Sequence, residues 1–227
     1  MTDIITRVIE EHVVAGKRLG RNVRLDPRSW NYQAQRAPRL KTTLHKRHTA
    51  PFDQGNLGSC TGNAEAGLLM TDPFYQSSRP LDETSAVKLY EEATRLDRVK
   101  GVYPPDDTGS SGLAVMKAAQ KDGYITGYTH AFGIDHALAA LVLAPVITGV
   151  NWYEGFDNPA SDGTIKISGN VRGGHEFEVL GIDVYAKTVR ACNSWGPGWG
   201  DHGYFVISWD TWSELLSEQG DVMMVKL

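Results

Sequence analysis

Hydrophobic positions divide the chain into a helical first part and a strand-rich second part. Apolar residues recur at helical spacing in four segments, which predicts helices over 60–70, 84–96, 110–121 and 135–143. From Pro145 onward, apolar residues alternate with polar ones or form short runs between Gly, Asp and Asn, which is typical of strands. The predicted strands are Val146–Val150, Thr164–Ile167, Glu176–Ile182, Thr188–Asn193, Tyr204–Trp209 and Val222–Leu227. Helices followed by strands predict an α+β chain with two segregated parts.

The first 47 residues, here called the arm, have a different character. Their start predicts a short amphipathic helix over Asp3–Val14, and an irregular, extended segment containing Pro27 and Pro38 follows. The apolar positions at helical spacing are Ile4, Ile5, Val8 and Ile9, and Thr2 and Asp3 are available to cap the helix. The first dense cluster of turn residues, 51–59, comes after the arm.

Charge is distributed unevenly along the chain. Residues 1–50 contain 11 Lys/Arg and 4 Asp/Glu, a charge of +7, whereas residues 51–227 contain 12 and 23, a charge of −11. A basic arm on an acidic body can dock onto that body, remain a solvated tail, or bind an external polyanion. The complementary charges favour docking within the molecule, so we do not expect a nucleic-acid partner.

Length and composition indicate an ordinary globular protein. The chain has 227 residues, with 41% hydrophobic and 22% charged, which suits one domain or two lobes that share a cleft. No apolar run approaches the ~20 residues that span a bilayer, so no membrane partner is expected. Acidic residues interrupt the first apolar stretch, unlike a signal peptide. We therefore expect a cytoplasmic or virion-associated protein, whose two cysteines, Cys60 and Cys192, are free thiols.

The segment from Gln54 to Cys60 carries the first candidate chemistry. Cys60 stands at the first turn of a predicted helix, where unpaired N–H groups and the helix dipole stabilise a reactive thiolate. The intervening glycines allow a tight turn, so that Gln54 can return to Cys60 and donate its amide N–H to a developing oxyanion. Taken alone, this stretch favours a buried structural cysteine, the commoner role of a single cysteine.

Two later segments add a base and an orienting group. His175 enters an apolar strand behind Gly173 and Gly174, which leave room for a ligand beside a candidate general base. Asn193 ends another strand, and its amide oxygen can fix the tautomer of a histidine, while Trp195 can shield that hydrogen bond from water. Each segment also has a purely structural interpretation, as a packed histidine and as a Gly/Trp-rich turn that caps a barrel.

The three segments together resemble the papain family of cysteine peptidases. The matching motifs are Gln54 to Cys60, Gly174-His175, and Asn193-Ser194-Trp195-Gly196 with Gly198-Trp199-Gly200. His175 and Asn193 follow Cys60 by 115 and 133 residues, in the order and spacing of that family. The nucleophile segment is most similar to that of the bacterial and phage-type branch. The resemblance covers roughly residues 48–227.

The resemblance implies a fold and an activity. The fold would have a helical left lobe over about 51–130 and a right lobe built on a β-barrel over about 131–227, with the cleft between them. The activity would be hydrolysis of polypeptides through a Cys60 thioester. His175 would act as acid and base, Asn193 would orient it, and Gln54 would hold the oxyanion, without a metal or organic cofactor. Substrate would contact Gly173, Gly174 and Trp195.

The arm, residues 1–47, is too short for the usual prodomain of the family. Its charge and its position just before the nucleophile segment still suggest a built-in regulator of the cleft, a possible short pro-segment. Packing along the back of the lobes is the alternative.

Departures from the family pattern leave specificity open. Thr61 replaces the usual tryptophan after the nucleophile, and Glu176 follows the histidine where a small apolar residue is typical. Because Gly173 and Gly174 add no charged side chain, they predict a roomy pocket that prefers bulky apolar groups over Arg or Lys. Two rival functions are a catalytically silent papain-fold module for binding or virion structure, and a peptidoglycan-peptide hydrolase.

Three further residues have weaker signals. His45 and His48 form a His-x-x-His pair, but no other ligands cluster in the nearby sequence, so we expect a solvated basic segment rather than a metal site. Cys192 precedes Asn193 on a strand, so its side chain should point to the opposite face and be buried.

Overall fold

The strand-rich second part of the chain forms one large antiparallel sheet in the computed structural model, which describes residues 3–227. The strands are β1 (Ile5–Arg7), β2 (Val23–Leu25), β3 (Thr43–Leu44), β4 (Gly127–His130), β5 (Val146–Tyr153), β6 (Val171–Asp183), β7 (Thr188–Cys192), β8 (Tyr204–Ser208) and β9 (Asp221–Lys226). The helices are α1 (Cys60–Leu69), α2 (Glu83–Leu96), α3 (Gly112–Lys121), α4 (Ile134–Leu141) and α5 (Trp209–Ser217). Within the described residues, no helix is both long and apolar enough to cross a membrane.

The main sheet has the strand order β4-β9-β5-β6-β7-β8, and β3 pairs with β6 in addition. The long strand β6 is central, since it pairs with β5 on one side and β7 on the other. Its first half carries His175, which lies opposite Val150 of β5. Within residues 3–227 the order of the ladders is open, so the α+β class is confirmed but a closed barrel is not found.

The helix α1 is buried on all sides between α2 and the sheet. All ten of its residues are buried, and it contacts both α2 and β6. Gly62 makes this contact possible, because a Cβ atom there would lie 2.2 Å from the backbone oxygen of Ala86 in α2. Helix α2 starts at a capping box in which Asp82 and Ser85 satisfy each other's backbone N–H groups. This packing fixes the start of α1, and with it Cys60, against the sheet.

The described part of the arm differs from the prediction. The expected helix over Asp3–Val14 is wrong: Ile5–Arg7 forms β1, which pairs with β2. β-branched residues dominate this stretch and have a low helix propensity, and Val23–Leu25 offers an edge to pair with. The proposed cap Thr2 lies outside the described residues.

Elsewhere, the four predicted helices are confirmed, and five of the six predicted strands are found with shifted ends. Residues 164–167 make only an isolated bridge, from Thr164 to Val206. Two further elements were not predicted: β4, whose four residues are too few for a clear pattern, and α5, which begins at the end of a predicted strand and continues into the predicted loop after it.

Candidate active site

Cys60 is the first residue of α1 and is fully buried. Burial raises the pKa of the Cys60 thiol well above its ordinary value of 9.0, against the smaller, opposing effect of the Glu176 backbone N–H. The helix terminus by itself would favour a thiolate. With the site covered as it is here, burial prevails and the thiol is protonated.

His175 and Asn193 form a buried hydrogen-bonded pair. His175 Nε2 lies 2.7 Å from Asn193 Oδ1, and the Ser194 backbone N–H donates to the same oxygen at 2.8 Å. An oxygen that accepts from Ser194 requires a proton on Nε2, so the lone pair of the neutral ring is at Nδ1. Nδ1 has no hydrogen-bond partner among residues 3–227. Burial lowers the pKa of His175 to about 3, so the ring is neutral.

Two tryptophans enclose the imidazole ring. The ring centroid of His175 lies 4.7 Å from that of Trp152 in an edge-on arrangement and 5.3 Å from that of Trp195. Trp152 and Trp195 also pack against each other, with centroids 5.2 Å apart. The two indole rings exclude water from the His175–Asn193 hydrogen bond and restrict the rotation of the imidazole ring.

Gln54 connects the turn before α1 to the loop after β7. Its backbone N–H donates to the Ser194 carbonyl at 2.9 Å, and its side-chain oxygen accepts from the Ser194 hydroxyl at 2.6 Å. Its side-chain nitrogen donates to the Leu57 carbonyl at 2.8 Å. These bonds hold the amide N–H of Gln54 in a fixed direction, as an oxyanion donor requires.

A short stretch of the arm lies directly against these residues. The carbonyl oxygen of Leu19 accepts a second hydrogen bond from the Gln54 side-chain nitrogen, at 3.0 Å. The preceding carbonyl, of Arg18, accepts from the indole N–H of Trp195 at 2.8 Å. A peptide carbonyl of the chain itself therefore occupies the donor that was predicted for the oxyanion of a substrate.

The two glycines before His175 also contact the arm. The backbone N–H groups of Gly20 and Arg21 both donate to the Gly174 carbonyl, at 3.1 and 2.9 Å. A Cβ atom on Gly174 would lie 2.2 Å from the Arg21 carbonyl oxygen, and one on Gly173 would lie 2.6 Å from a methyl group of Leu19. Only glycine at both positions allows a peptide chain to approach this closely.

Opposite charges accompany the backbone contacts. Arg18 pairs with Glu11 within the arm at 3.3 Å and with Asp107 on the body at 3.2 Å. The Lys17 ammonium group donates to the Asp157 carbonyl at 3.0 Å. Of these contacts, the pairing of Arg18 with Asp107 follows the charge asymmetry of the sequence, a basic arm on an acidic body.

Hydrogen bonds join Gln54 to Ser194, Ser194 to Asn193, and Asn193 to His175. The backbone N–H of Glu176, the residue after His175, bonds to Cys60, and Trp195 packs against the His175 ring. Ser194 holds both Gln54 and Asn193, a role that was not predicted although the residue stands within the Asn193-Ser194-Trp195-Gly196 motif. The motif alone does not indicate this role, because the role depends on how the loop after β7 folds. The catalytic roles themselves remain predictions.

The residues with weaker signals in the sequence, Cys192, His45 and His48, are buried or hydrogen-bonded to other parts of the chain. Cys192 is buried, and its pKa is raised to about 12, mainly by burial. Both cysteines are free thiols, as predicted. His45 bonds to the Leu141 carbonyl, and His48 bonds to Asp72 at 2.8 Å. No group of three or more His, Cys, Asp or Glu residues is placed to hold a metal within the described part of the chain.

Comparison with known proteins identifies the fold. No family model matches the chain, and no curated protein sequence matches it. Among solved structures, it is similar to xylellain, a cysteine protease from Xylella fastidiosa, with a TM-score of 0.75 and 19% identity, covering 96% of this chain and 98% of that one. It is also similar to digestive procathepsin L 3 of Tenebrio molitor, with a TM-score of 0.66 and 15% identity, covering 93% of this chain and 76% of that one. A third similar structure is procathepsin B S9 of Trypanosoma congolense, with a TM-score of 0.61 and 10% identity, covering 93% of this chain and 87% of that one. The chain therefore has the fold of papain-like cysteine proteases.

Proposed function

We propose that this protein is a papain-like cysteine peptidase of the bacterial and phage-type branch, whose arm occludes its own active site. The hydrogen bond that joins His175 Nε2 to Asn193 Oδ1 carries the peptidase proposal, because it leaves the basic Nδ1 atom available to a nucleophile. The similarity in fold to several cysteine proteases supports it. The division into an arm (1–47) and a two-lobed domain (48–227) belongs to the same proposal.

The mechanism follows from the atoms that these residues offer. With the site open, Cys60 passes its proton to His175 Nδ1, and the thiolate attacks the carbonyl carbon of a peptide bond. Gln54 and the Cys60 backbone N–H stabilise the oxyanion. The His175 imidazolium then protonates the leaving amine, and a thioester remains. Water attacks the thioester while His175 takes its proton, which releases the carboxylic acid and regenerates the thiol.

Occlusion by the arm rests on two observations. A carbonyl of the arm, that of Leu19, uses the Gln54 donor that the oxyanion needs. Burial also holds Cys60 as a thiol and His175 as a neutral ring, the unreactive forms of the pair. Two of the similar structures are named as proforms, procathepsin L 3 and procathepsin B S9, which supports an inhibitory segment here as well.

The rival functions make different predictions. A catalytically silent binding module would not need a histidine with a fixed tautomer and a free Nδ1. A peptidoglycan-peptide hydrolase would use the same residues on a different substrate, so only an assay separates it from a protein-cleaving peptidase.

The test uses a recognition site for a highly specific protease, inserted at Arg39–Lys41, which is exposed and lies outside the helices and strands. Cutting there separates residues 1–38 of the arm from the rest of the folded chain, so that they can dissociate from the site. Casein and fluorogenic peptides are then assayed before and after the cut, beside a wall-clearing assay. A matched control carries the site at Tyr185, which is 92% exposed in the turn between β6 and β7.

Peptidase activity that rises after the cut at 39–41, but not at 185, and disappears in Cys60→Ala is the expected result. Equal activity before and after the cut contradicts occlusion by the arm. If the cut chain, still folded by circular dichroism, cleaves neither protein nor peptidoglycan, the peptidase proposal fails and the silent module is favoured.

A further inference from the structure

The side chain of Arg21 leaves the arm and enters the body of the protein beside the active site. It is fully buried, and its Nη2 atom pairs with Asp221 Oδ2 at 2.8 Å and donates to the Gln219 carbonyl at 2.7 Å. Its remaining nitrogens, Nε and Nη1, have no hydrogen-bond partner among residues 3–227. A buried guanidinium is costly unless its surroundings are negative, so the walls of this pocket determine what it accepts.

The walls combine two carboxylates with two glycines. A Cβ atom on Gly149 would lie 2.5 Å from Glu176 Oε2, 2.6 Å from Arg21 Nε and 3.0 Å from Asp221 Oδ1, so these three groups converge on the bare backbone of Gly149. A Cβ atom on Gly112 would lie 2.5 Å from Glu176 Oε1. The missing side chains therefore make room for the two carboxylates and the guanidinium.

The two acidic side chains leave one negative charge for a cation to neutralise. Glu176 is fully buried, and its burial raises its pKa well above the ordinary value; Asp221 raises this pKa further, through its charge and a side-chain hydrogen bond, and Arg21 lowers it. Glu176 is therefore a neutral acid that shares a proton with Asp221, and the remaining charge faces the guanidinium of Arg21. An arginine or lysine side chain is the ligand that neutralises this charge and donates to Asp221.

The pocket lies where a substrate side chain could enter it. Glu176 directly follows His175, and its backbone N–H faces the sulfur of Cys60. The backbone of Arg21 is held on the Gly174 carbonyl at 2.9 Å. A peptide whose backbone bonded to the Gly174 carbonyl in the same way would place one side chain in the acidic pocket, while its preceding carbonyl groups reached Gln54 and Trp195 as those of Leu19 and Arg18 do.

We propose that Glu176 and Asp221 form a specificity pocket for an arginine or lysine side chain of the polypeptide substrate, which Arg21 fills while the arm is in place. This inference rests on the proposed function. It replaces the preference for apolar groups that was expected from Gly173 and Gly174. The charge of the pocket comes instead from Glu176, the residue after His175, and from Asp221 in β9, 200 positions beyond Arg21.

The first test needs no catalysis. In the full-length chain, Arg21→Ala empties the pocket, and propylguanidinium should then raise the melting temperature by ~2–4 °C at a near-saturating concentration. Neutral propylurea should not raise it. The unsubstituted chain, whose pocket is filled, and the triple variant that adds Glu176→Gln and Asp221→Asn are the controls. An equal shift in either control, or none in Arg21→Ala, overturns the proposed pocket; circular dichroism verifies that each variant folds.

The second test profiles cleavage by the chain cut at 39–41. A fluorogenic peptide library should show at least a ~tenfold preference in kcat/KM for Arg over Leu at one position, falling below ~twofold in Glu176→Gln/Asp221→Asn. Cleavage with a preference for apolar side chains, or with a basic preference that survives the double variant, overturns the inference. If nothing is cleaved while propylguanidinium still binds, the peptidase proposal and the substrate role of the pocket fail, but the ligand class of the pocket stands.

Discussion

The backbone carbonyl of Leu19 and the side-chain amide of Gln54 are joined by a hydrogen bond of 3.0 Å, although 35 residues separate them. In the proposed mechanism that amide stabilises negative charge on a substrate oxygen. Its use by a carbonyl of the same chain means that substrate and arm compete for one donor. Activity of the uncut chain should therefore report how often the arm leaves, and changes in the arm should alter it without touching the catalytic residues.

Arg18 offers the cleanest way to loosen the arm. It pairs with Asp107 across the interface at 3.2 Å, and both side chains are mostly but not fully buried. Replacement by alanine should weaken docking by about 1 kcal/mol, which corresponds to a ~fivefold higher basal activity of the uncut chain. Activity after the cut should be unchanged. Arg39→Ala, an exposed substitution in the same arm, is the matched control; a similar rise in that variant would point to general loosening instead.

The two cysteines should differ in reactivity in a way that depends on the arm. Both thiols are buried and protonated in the uncut chain, so iodoacetamide near pH 6 should label neither quickly. Cutting at 39–41 should accelerate labelling of Cys60 by at least ~tenfold and leave Cys192 slow, since Cys192 stays inside the sheet. Peptide mapping by mass spectrometry measures both sites. Faster labelling of Cys192 would contradict the assignment of the nucleophile.

Short motifs carry the residues of the candidate site, so sequence patterns predicted the elements on which these residues lie. The turn from Gln54 to Cys60 and the start of α1 follow from glycines and helix periodicity. His175 stands at the predicted start of a strand that the structure extends back to Val171, and Asn193 directly follows β7, where a strand was predicted to end. The pairing of Arg21 with Asp221 could not be predicted in this way, because it joins positions 200 residues apart through tertiary packing alone. The strand β1 was missed for a similar reason, since its partner is formed by another part of the arm.

Release of the arm should move a proton without changing the net charge of the site. In the docked form Cys60 is a thiol and His175 is neutral, with a pKa lowered to about 3 by burial. Exposure removes the cost of both charges, so the proton should pass from the sulfur to Nδ1 and form an ion pair. Nitrogen NMR of the imidazole at pH 8 should show the Nε2–H tautomer before the cut and imidazolium after it. An exposed histidine with its ordinary pKa of 6.5 is neutral at that pH unless a thiolate stabilises its charge. An imidazolium signal that appears equally in Cys60→Ala would therefore exclude this ion pair.

Asn193 should contribute to catalysis by fixing the tautomer rather than by touching the substrate. Asn193→Ala removes the oxygen that holds the Nε2 proton, so His175 can carry its proton on Nδ1, where it cannot act as a base. We expect kcat of the cut chain to fall by ~10–100-fold, with KM changed little. Asn170→Ala, in an exposed loop, is the control. A rise in KM with unchanged kcat would assign Asn193 to substrate binding.

Glu65 should cost stability at neutral pH. It is fully buried in α1, its carboxyl oxygens have no hydrogen-bond partner among residues 3–227, and burial, with a smaller effect of Glu178, raises its pKa from 4.5 to about 8. Because the folded-state pKa lies above that of the unfolded chain, the favourable contribution is complete below about pH 4.5 and is lost as the pH rises towards 8.

Glutamine has the shape of the protonated acid but cannot ionise in the unfolded chain. Glu65→Gln should therefore leave the free energy of unfolding nearly unchanged near pH 4.5 and raise it by about 3 kcal/mol at pH 7, at ~1.4 kcal/mol per pH unit. Urea titrations at both pH values measure the difference, with the exposed Glu214→Gln as the control. A gain that is equal at the two pH values would mean that Glu65 is already ionised in the folded protein.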